Sequence, residues 1–99
     1  QSKQANRMLT VAFSWRWPAR EISVNSCHPG DVPSALSHSL GFGGGDSAEE
    51  AADTPVWLAT DAKLSGVSGK YFVRRQEQTC EFASNRQAIA ALDDMCMRL

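Results

Sequence analysis

Only two stretches of this chain read as β-strand, and they are far apart. Ile22-Ser23-Val24-Asn25-Ser26 is short, partly β-branched and bounded by a charged turn and by Pro29-Gly30. Lys70-Tyr71-Phe72-Val73 has high β propensity and follows the turn Ser65-Gly66-Val67-Ser68-Gly69. The segments around and between them read as helix, so the order is helix, strand, helix, strand, helix. Strands joined by helical crossovers pair in parallel, and a parallel sheet needs cover on both faces and several neighbouring strands. Two strands do not make such a sheet. The expected architecture is α/β: the carboxyl-terminal part of a doubly wound parallel sheet, with two strands, about three helices and further strands supplied from upstream of Gln1. Residues 1–99 then form one piece of a single domain, and an apolar face at Ile22, Val24, Tyr71 or Phe72 should lie uncovered.

Helices are expected near 2–15, 47–60 and 85–97. Ala5, Met8, Leu9, Ala12 and Phe13 recur at amphipathic helical spacing, and Pro18 closes that run. Ser47 and Glu50 have the spacing of a capping box, and Pro55 predicts a kink or a division into two helical pieces. Ser84 and Gln87 repeat the capping box ahead of an apolar stripe of Ala88, Ile89, Leu92, Met95, Cys96 and Leu99, expected to dock on the sheet. Ser34–Leu40 is weakly helical, and Gly41-Phe42-Gly43-Gly44-Gly45 is too glycine-rich for regular structure.

Composition excludes several functions. Hydrophobic residues are 42% and charged residues 21% of the chain, and its net charge is −1 with Lys and Arg scattered. No basic patch suits a phosphate backbone or an anionic membrane, so no nucleic-acid partner is expected. No apolar run reaches the roughly 20 residues of a transmembrane helix. The three cysteines, Cys27, Cys80 and Cys96, are an odd set without metal-type spacing. They read as buried or semi-buried thiols of a reducing compartment, with no disulfide framework and no metal site.

In an open α/β sheet, ligands bind beyond the carboxyl ends of the strands. Here that place is Cys27-His28-Pro29-Gly30-Asp31-Val32-Pro33-Ser34. Gln1-Ser2-Lys3 looks like the end of a Tyr-x-x-x-Lys element whose tyrosine would fall two residues before Gln1. Gly66-Val67-Ser68-Gly69-Lys70-Tyr71-Phe72 looks like the glycine-framed approach to a final strand. Together these segments resemble the short-chain dehydrogenase/reductase family, in its retinol dehydrogenase-like branch, over nearly all of the chain. The resemblance implies a Rossmann-type sheet binding NADP or NAD. It implies a hydride transfer between the nicotinamide and an alcohol or ketone carbon of a small, apolar substrate.

In that family the lysine matching Lys3 holds the nicotinamide ribose and lowers the pKa of the catalytic tyrosine. The turn matching Pro29 and Gly30 lies along the nicotinamide. The backbone at Val32 would bond the carboxamide, and the hydroxyl of Ser34 would support it. Leu36, Leu40 and Phe42 fall in the family's substrate loop. His28 and His38 read as a strand-end and an exposed loop histidine rather than ligands, and Trp57 reads as core. The partner serine, the tyrosine and the glycine-rich fingerprint are not among these residues, so the 99 residues alone are expected to be inactive. A homo-oligomer is compatible with the family. The alternative is a non-catalytic binding subunit of the same fold, associated with a translocon or with calmodulin. Against it, residues 85–99 balance Arg86 and Arg98 with Asp93 and Asp94, whereas calmodulin targets are basic.

Overall fold

The computed structural model describes residues 2–30, 34–41 and 45–99. Among these, the elements run α1 (Ser2–Arg16), β1 (Ser26–His28), α2 (Ala35–Ser39), α3 (Ala48–Thr60), β2 (Tyr71–Val73), β3 (Gln76–Gln78) and α4 (Arg86–Met97). Single 3-10 turns sit at Ala62–Leu64 and Phe82–Ser84. The three long helices stand within a residue or so of the expected ranges. The capping box at α3 forms in both directions: Ser47 Oγ accepts from the Glu50 N–H at 3.1 Å, and Glu50 Oε1 accepts from the Ser47 N–H at 3.3 Å. Pro55 removes one backbone donor but does not divide α3, which runs as one helix through it. The second box does not form. Asn85 caps α4 instead, its Oδ1 accepting from the Ala88 N–H at 3.1 Å, while Ser84 Oγ donates to the Cys80 carbonyl at 3.0 Å.

β1 and β2 pair in parallel, as the crossover argument requires, with Ser26 opposite Tyr71, Cys27 opposite Phe72 and His28 opposite Val73. The expectation of a purely parallel, two-stranded sheet is corrected. β3 adds to β2 in antiparallel register, giving a mixed three-stranded sheet in the order β1-β2-β3. The reversal is made by Arg74 and Arg75, both left-handed, at φ 50° and 62°. That is the two-residue hairpin geometry usually made by Asn-Gly, and Arg-Arg gives no sign of it. Contacts to α3 impose it. The Arg75 N–H donates to Thr54 Oγ1 at 3.2 Å, and the Arg75 guanidinium grips both oxygens of Asp53 at 2.7 and 2.6 Å.

The strand expected at Ile22–Ser26 enters the ladder only at Ser26. Its earlier residues are held to the approach of β2 mostly by side chains. Val24 N–H donates to Ser68 Oγ at 2.9 Å, and Val24 carbonyl accepts from Gly69 N–H at 2.7 Å. The Asn25 carboxamide donates to the Val67 carbonyl at 3.0 Å and accepts from Lys70 N–H at 3.1 Å.

Successive residues of a strand face opposite sides of the sheet. The Tyr71 ring lies under the Arg7 guanidinium of α1 at 4.1 Å, while the buried Phe72 meets Trp57 of α3 edge-on with ring centroids 5.5 Å apart. α1 and α3 therefore cover opposite faces. Phe72 is closed off by α3, and of the apolar residues expected to lie uncovered Ile22 is the exposed one. Gly69, at φ +77°, lets α1 come close, since a Cβ there would stand 2.6 Å from Ser14 Oγ. α4 packs on α1 rather than on the sheet, a second correction. Its Ile89 is fully buried, and its Asp93 carboxylate accepts from Arg16 at 2.6 Å. The stripe ends in the open, with Met95 exposed and Leu99 fully so. Among the described residues no helix is long and apolar enough to cross a membrane.

Two outcomes follow from the hairpin. The Arg74–Asp46 pair is long at 3.7 Å and its arginine is exposed, so it contributes little, whereas a left-handed arginine is strained. Arg74→Asn, a residue that tolerates that conformation, should raise the urea midpoint, by up to about 1 kcal/mol in stability. The hydrogen bond from Arg75 holds the Asp53 carboxyl below its ordinary range. A depressed folded-state value means that its contribution is present above the ordinary carboxylate pKa and is lost as pH falls through the folded one. Asp53→Asn should therefore lower stability at neutral pH and flatten the acid limb of a urea-midpoint-versus-pH curve.

Candidate functional site

The carboxyl end of β1 meets the first two turns of α1 in a cleft of about 480 Å³ lined by Lys3, Asn6, Arg7, Ser26, Cys27, His28, Pro29 and Tyr71. The parallel register puts Ser26 beside Tyr71, so both strands contribute to one wall. Lys3, Asn6 and Arg7 line the other wall because residues three and four apart share a helix face. Burial pushes the Cys27 thiol up from its ordinary pKa, so the thiol is held protonated at neutral pH.

Of the residues singled out from sequence, Lys3 and Pro29 share this cleft. Gly30 does not line it. It opens on a smaller pocket of about 130 Å³ behind the turn, lined by His28, Pro29, Asp46, Glu50, Thr54, Val73 and Arg74. Gly30 sits at φ +87°, and a Cβ there would stand 2.5 Å from Asp46 Oδ2. The space that requires glycine is filled by this chain's own carboxylate, not left open toward a ligand. Ser34 precedes α2, its carbonyl accepting from His38 N–H at 3.0 Å. Leu36 and Leu40 are 69% and 62% exposed and do not line the cleft. Val32 and Phe42 lie outside the described residues.

Sequence reasoning missed Asn6, Arg7, Ser26 and Tyr71 as cleft residues, whereas Cys27 and His28 fall in the strand-end segment it named without being given a role there. Arg7 had a usable signal, standing one helical turn after Lys3. Tyr71 had none, because its side of the strand depends on the register with β1. Among the described residues, no three His, Cys, Asp or Glu side chains are grouped to hold a metal ion.

Two curated proteins are similar to this chain. A WW domain-containing oxidoreductase from Drosophila melanogaster is 36% identical over 81 residues, covering 72% of this chain and 20% of that protein. A probable oxidoreductase from Streptomyces antibioticus is 34% identical over 95 residues, covering 78% of this chain and 32% of that protein. Both relatives are named as oxidoreductases. The chain spans about a fifth of the length of the first and about a third of the second. No family model matches it, and no solved structure does.

The geometry at Gly30 carries its own test. Gly30→Ala places a methyl against Asp46 and forces a left-handed alanine, so it should destabilise the fold by about 1–3 kcal/mol in urea unfolding. Combining it with Asp46→Gly removes the clash and should restore part of that loss.

Proposed function

We propose that this chain is part of an NAD(P)-dependent short-chain oxidoreductase of the retinol dehydrogenase-like kind. The reaction moves a hydride between nicotinamide and an alcohol or carbonyl carbon of an apolar substrate. The observation that carries the reading is the meeting of Lys3 and Pro29, distant in sequence, in one cleft at the carboxyl end of a parallel strand. The oxidoreductase names of the two relatives support it at the coarser level.

The donor set fits the nucleotide's nicotinamide end. Lys3 offers an ammonium group for ribose hydroxyls, and Cys27, Pro29 and Tyr71 offer a largely apolar wall for a flat ring. When bound, the cofactor supplies the hydride chemistry. The chain's part is to orient the ring along the Pro29 turn, to exclude water with the Tyr71 and Cys27 side, and to place a fixed positive charge at Lys3. That charge favours the ionised form of a neighbouring phenol and so prepares it to exchange a proton near neutral pH. In this reading Gly30 is a packing residue for Asp46 and the cleft's contact with the ring belongs to Pro29, while Val32 and Ser34 keep the roles that the family resemblance implies. Lys3 then serves a catalytic tyrosine and serine that are not among the residues of the cleft. The calmodulin-associated alternative is disfavoured by α4, whose Asp93 is engaged by Arg16 and whose Ile89 is buried on α1.

NADPH titration of the full-length protein, followed by fluorescence, checks this. We expect saturable binding with reduction of an apolar aldehyde or ketone, and Lys3→Met should lower kcat/KM by about a hundredfold or more, the usual scale for a group that prepares proton transfer. Absence of binding by either NADPH or NADH would overturn the proposal.

A further inference from the structure

We propose that Lys3 and Arg7 form an anion-recognition pair, so that the cleft takes a ligand bearing a phosphate or carboxylate on a flat, apolar body. The inference rests on reading this cleft as the functional site, and it adds a charge requirement that the reading does not contain. Two cations line the cleft one helical turn apart, and no carboxylate lines it. Like charges at that spacing repel along a helix. Of the eight other Lys and Arg side chains, four pair with a carboxylate, Arg16 with Asp93, Arg74 with Asp46, Arg75 with Asp53 and Arg98 with Asp94, and the rest form no such pair among the described residues; Lys3 and Arg7 differ in lining one cleft together. Lys3 and Arg7 have no carboxylate partner among the described residues.

Arg7 is also held in place. Its guanidinium stacks 4.1 Å above the Tyr71 ring, which stabilises the charge without neutralising it and limits the side-chain entropy lost when a ligand binds. A planar guanidinium grips phosphate or carboxylate with two parallel hydrogen bonds, and a lysine one turn away adds a point charge. Of the remaining lining, Asn6, Ser26 and His28 are polar, while Cys27, Pro29 and Tyr71 give one side that suits an apolar ring.

The anion could belong to a dinucleotide or to the substrate, and the experiment separates these sources. First, calorimetry on the full-length protein compares 1-naphthyl phosphate with neutral 1-naphthol. We expect the phosphate to bind more tightly and to weaken as sodium chloride is raised. Arg7→Gln should cost about tenfold in phosphate affinity and leave naphthol unchanged, Arg7→Lys should recover part of it, and Tyr71→Phe, which keeps the ring, should bind normally. Equal affinity for the two probes, or phosphate binding indifferent to salt, overturns the pair without recourse to any variant. Unchanged phosphate affinity in a folded Arg7→Gln protein overturns it as well. Second, NADPH affinity and the KM of a carboxylate-bearing aldehyde and its methyl ester are measured in Arg7→Gln. A weaker NADPH complex assigns the anion to the nucleotide, and a raised KM for the acid but not the ester assigns it to the substrate. Selective naphthyl phosphate binding by a protein that binds no dinucleotide would uphold the pair and sink the oxidoreductase reading.

Discussion

The parallel pairing of Ser26–His28 with Tyr71–Val73 is the constraint on which the other arrangements depend. It joins segments separated by two helices, and a ladder three residues long would be weak by itself. Its register is secured just upstream, where the Asn25 carboxamide spans Val67 and Lys70 and Ser68 meets Val24. A single-residue slip would break both Asn25 contacts and exchange the faces of Tyr71 and Phe72. Those faces decide everything else: Tyr71 supports Arg7 and the cleft, and Phe72 receives Trp57 and with it α3.

A second organising group is Arg75. It bonds Asp53 through its guanidinium, Thr54 through its backbone, and lies 5.9 Å from the Trp57 ring. Trp57 in turn donates to Asp61 at 2.8 Å, and backbone N–H donation from Lys63 holds the Asp61 carboxyl below its ordinary range. The antiparallel strand β3 is thus attached to α3 by polar contacts around one apolar pair, Trp57 and Phe72. This is a surface arrangement, and solvent screens its ion pairs. Its value is geometric: it fixes the two left-handed arginines that turn the chain.

The cleft depends on close approaches of two kinds. Gly69 lets α1 settle at the start of β2, which carries Lys3 and Arg7 to the strand ends. Gly30 lets the turn after β1 settle on Asp46, which aims Pro29 into the cleft and turns Gly30 away from it. One glycine therefore sets the distance between the walls of the site, and the other orients its rim.

The three long helices were legible in the sequence because their causes are local. Apolar spacing marks α1 and α4, the Ser47–Glu50 box starts α3, and Pro18 closes the first run. The parallel relation of the two strand segments was also legible, since a helical crossover allows little else. What only tertiary structure decided involves partners distant in sequence. β3 exists because Asp53 and Thr54 hold an Arg-Arg turn that has no turn propensity. Asn85 rather than Ser84 caps α4 because Ser84 closes the preceding 3-10 turn on Cys80. α4 lies on α1 because Asp93 meets Arg16 and Ile89 finds a buried place there. The first half of the apolar stripe, Ala88, Ile89 and Leu92, marked the face of α4 that is covered, but not which element would cover it, and Met95, Cys96 and Leu99 stay exposed. Gly30 could be read as permissive, but that it accommodates Asp46 required both residues in space. A local sequence pattern reports periodicity and backbone freedom, whereas the identity of a contact is set by which segments the sheet brings together.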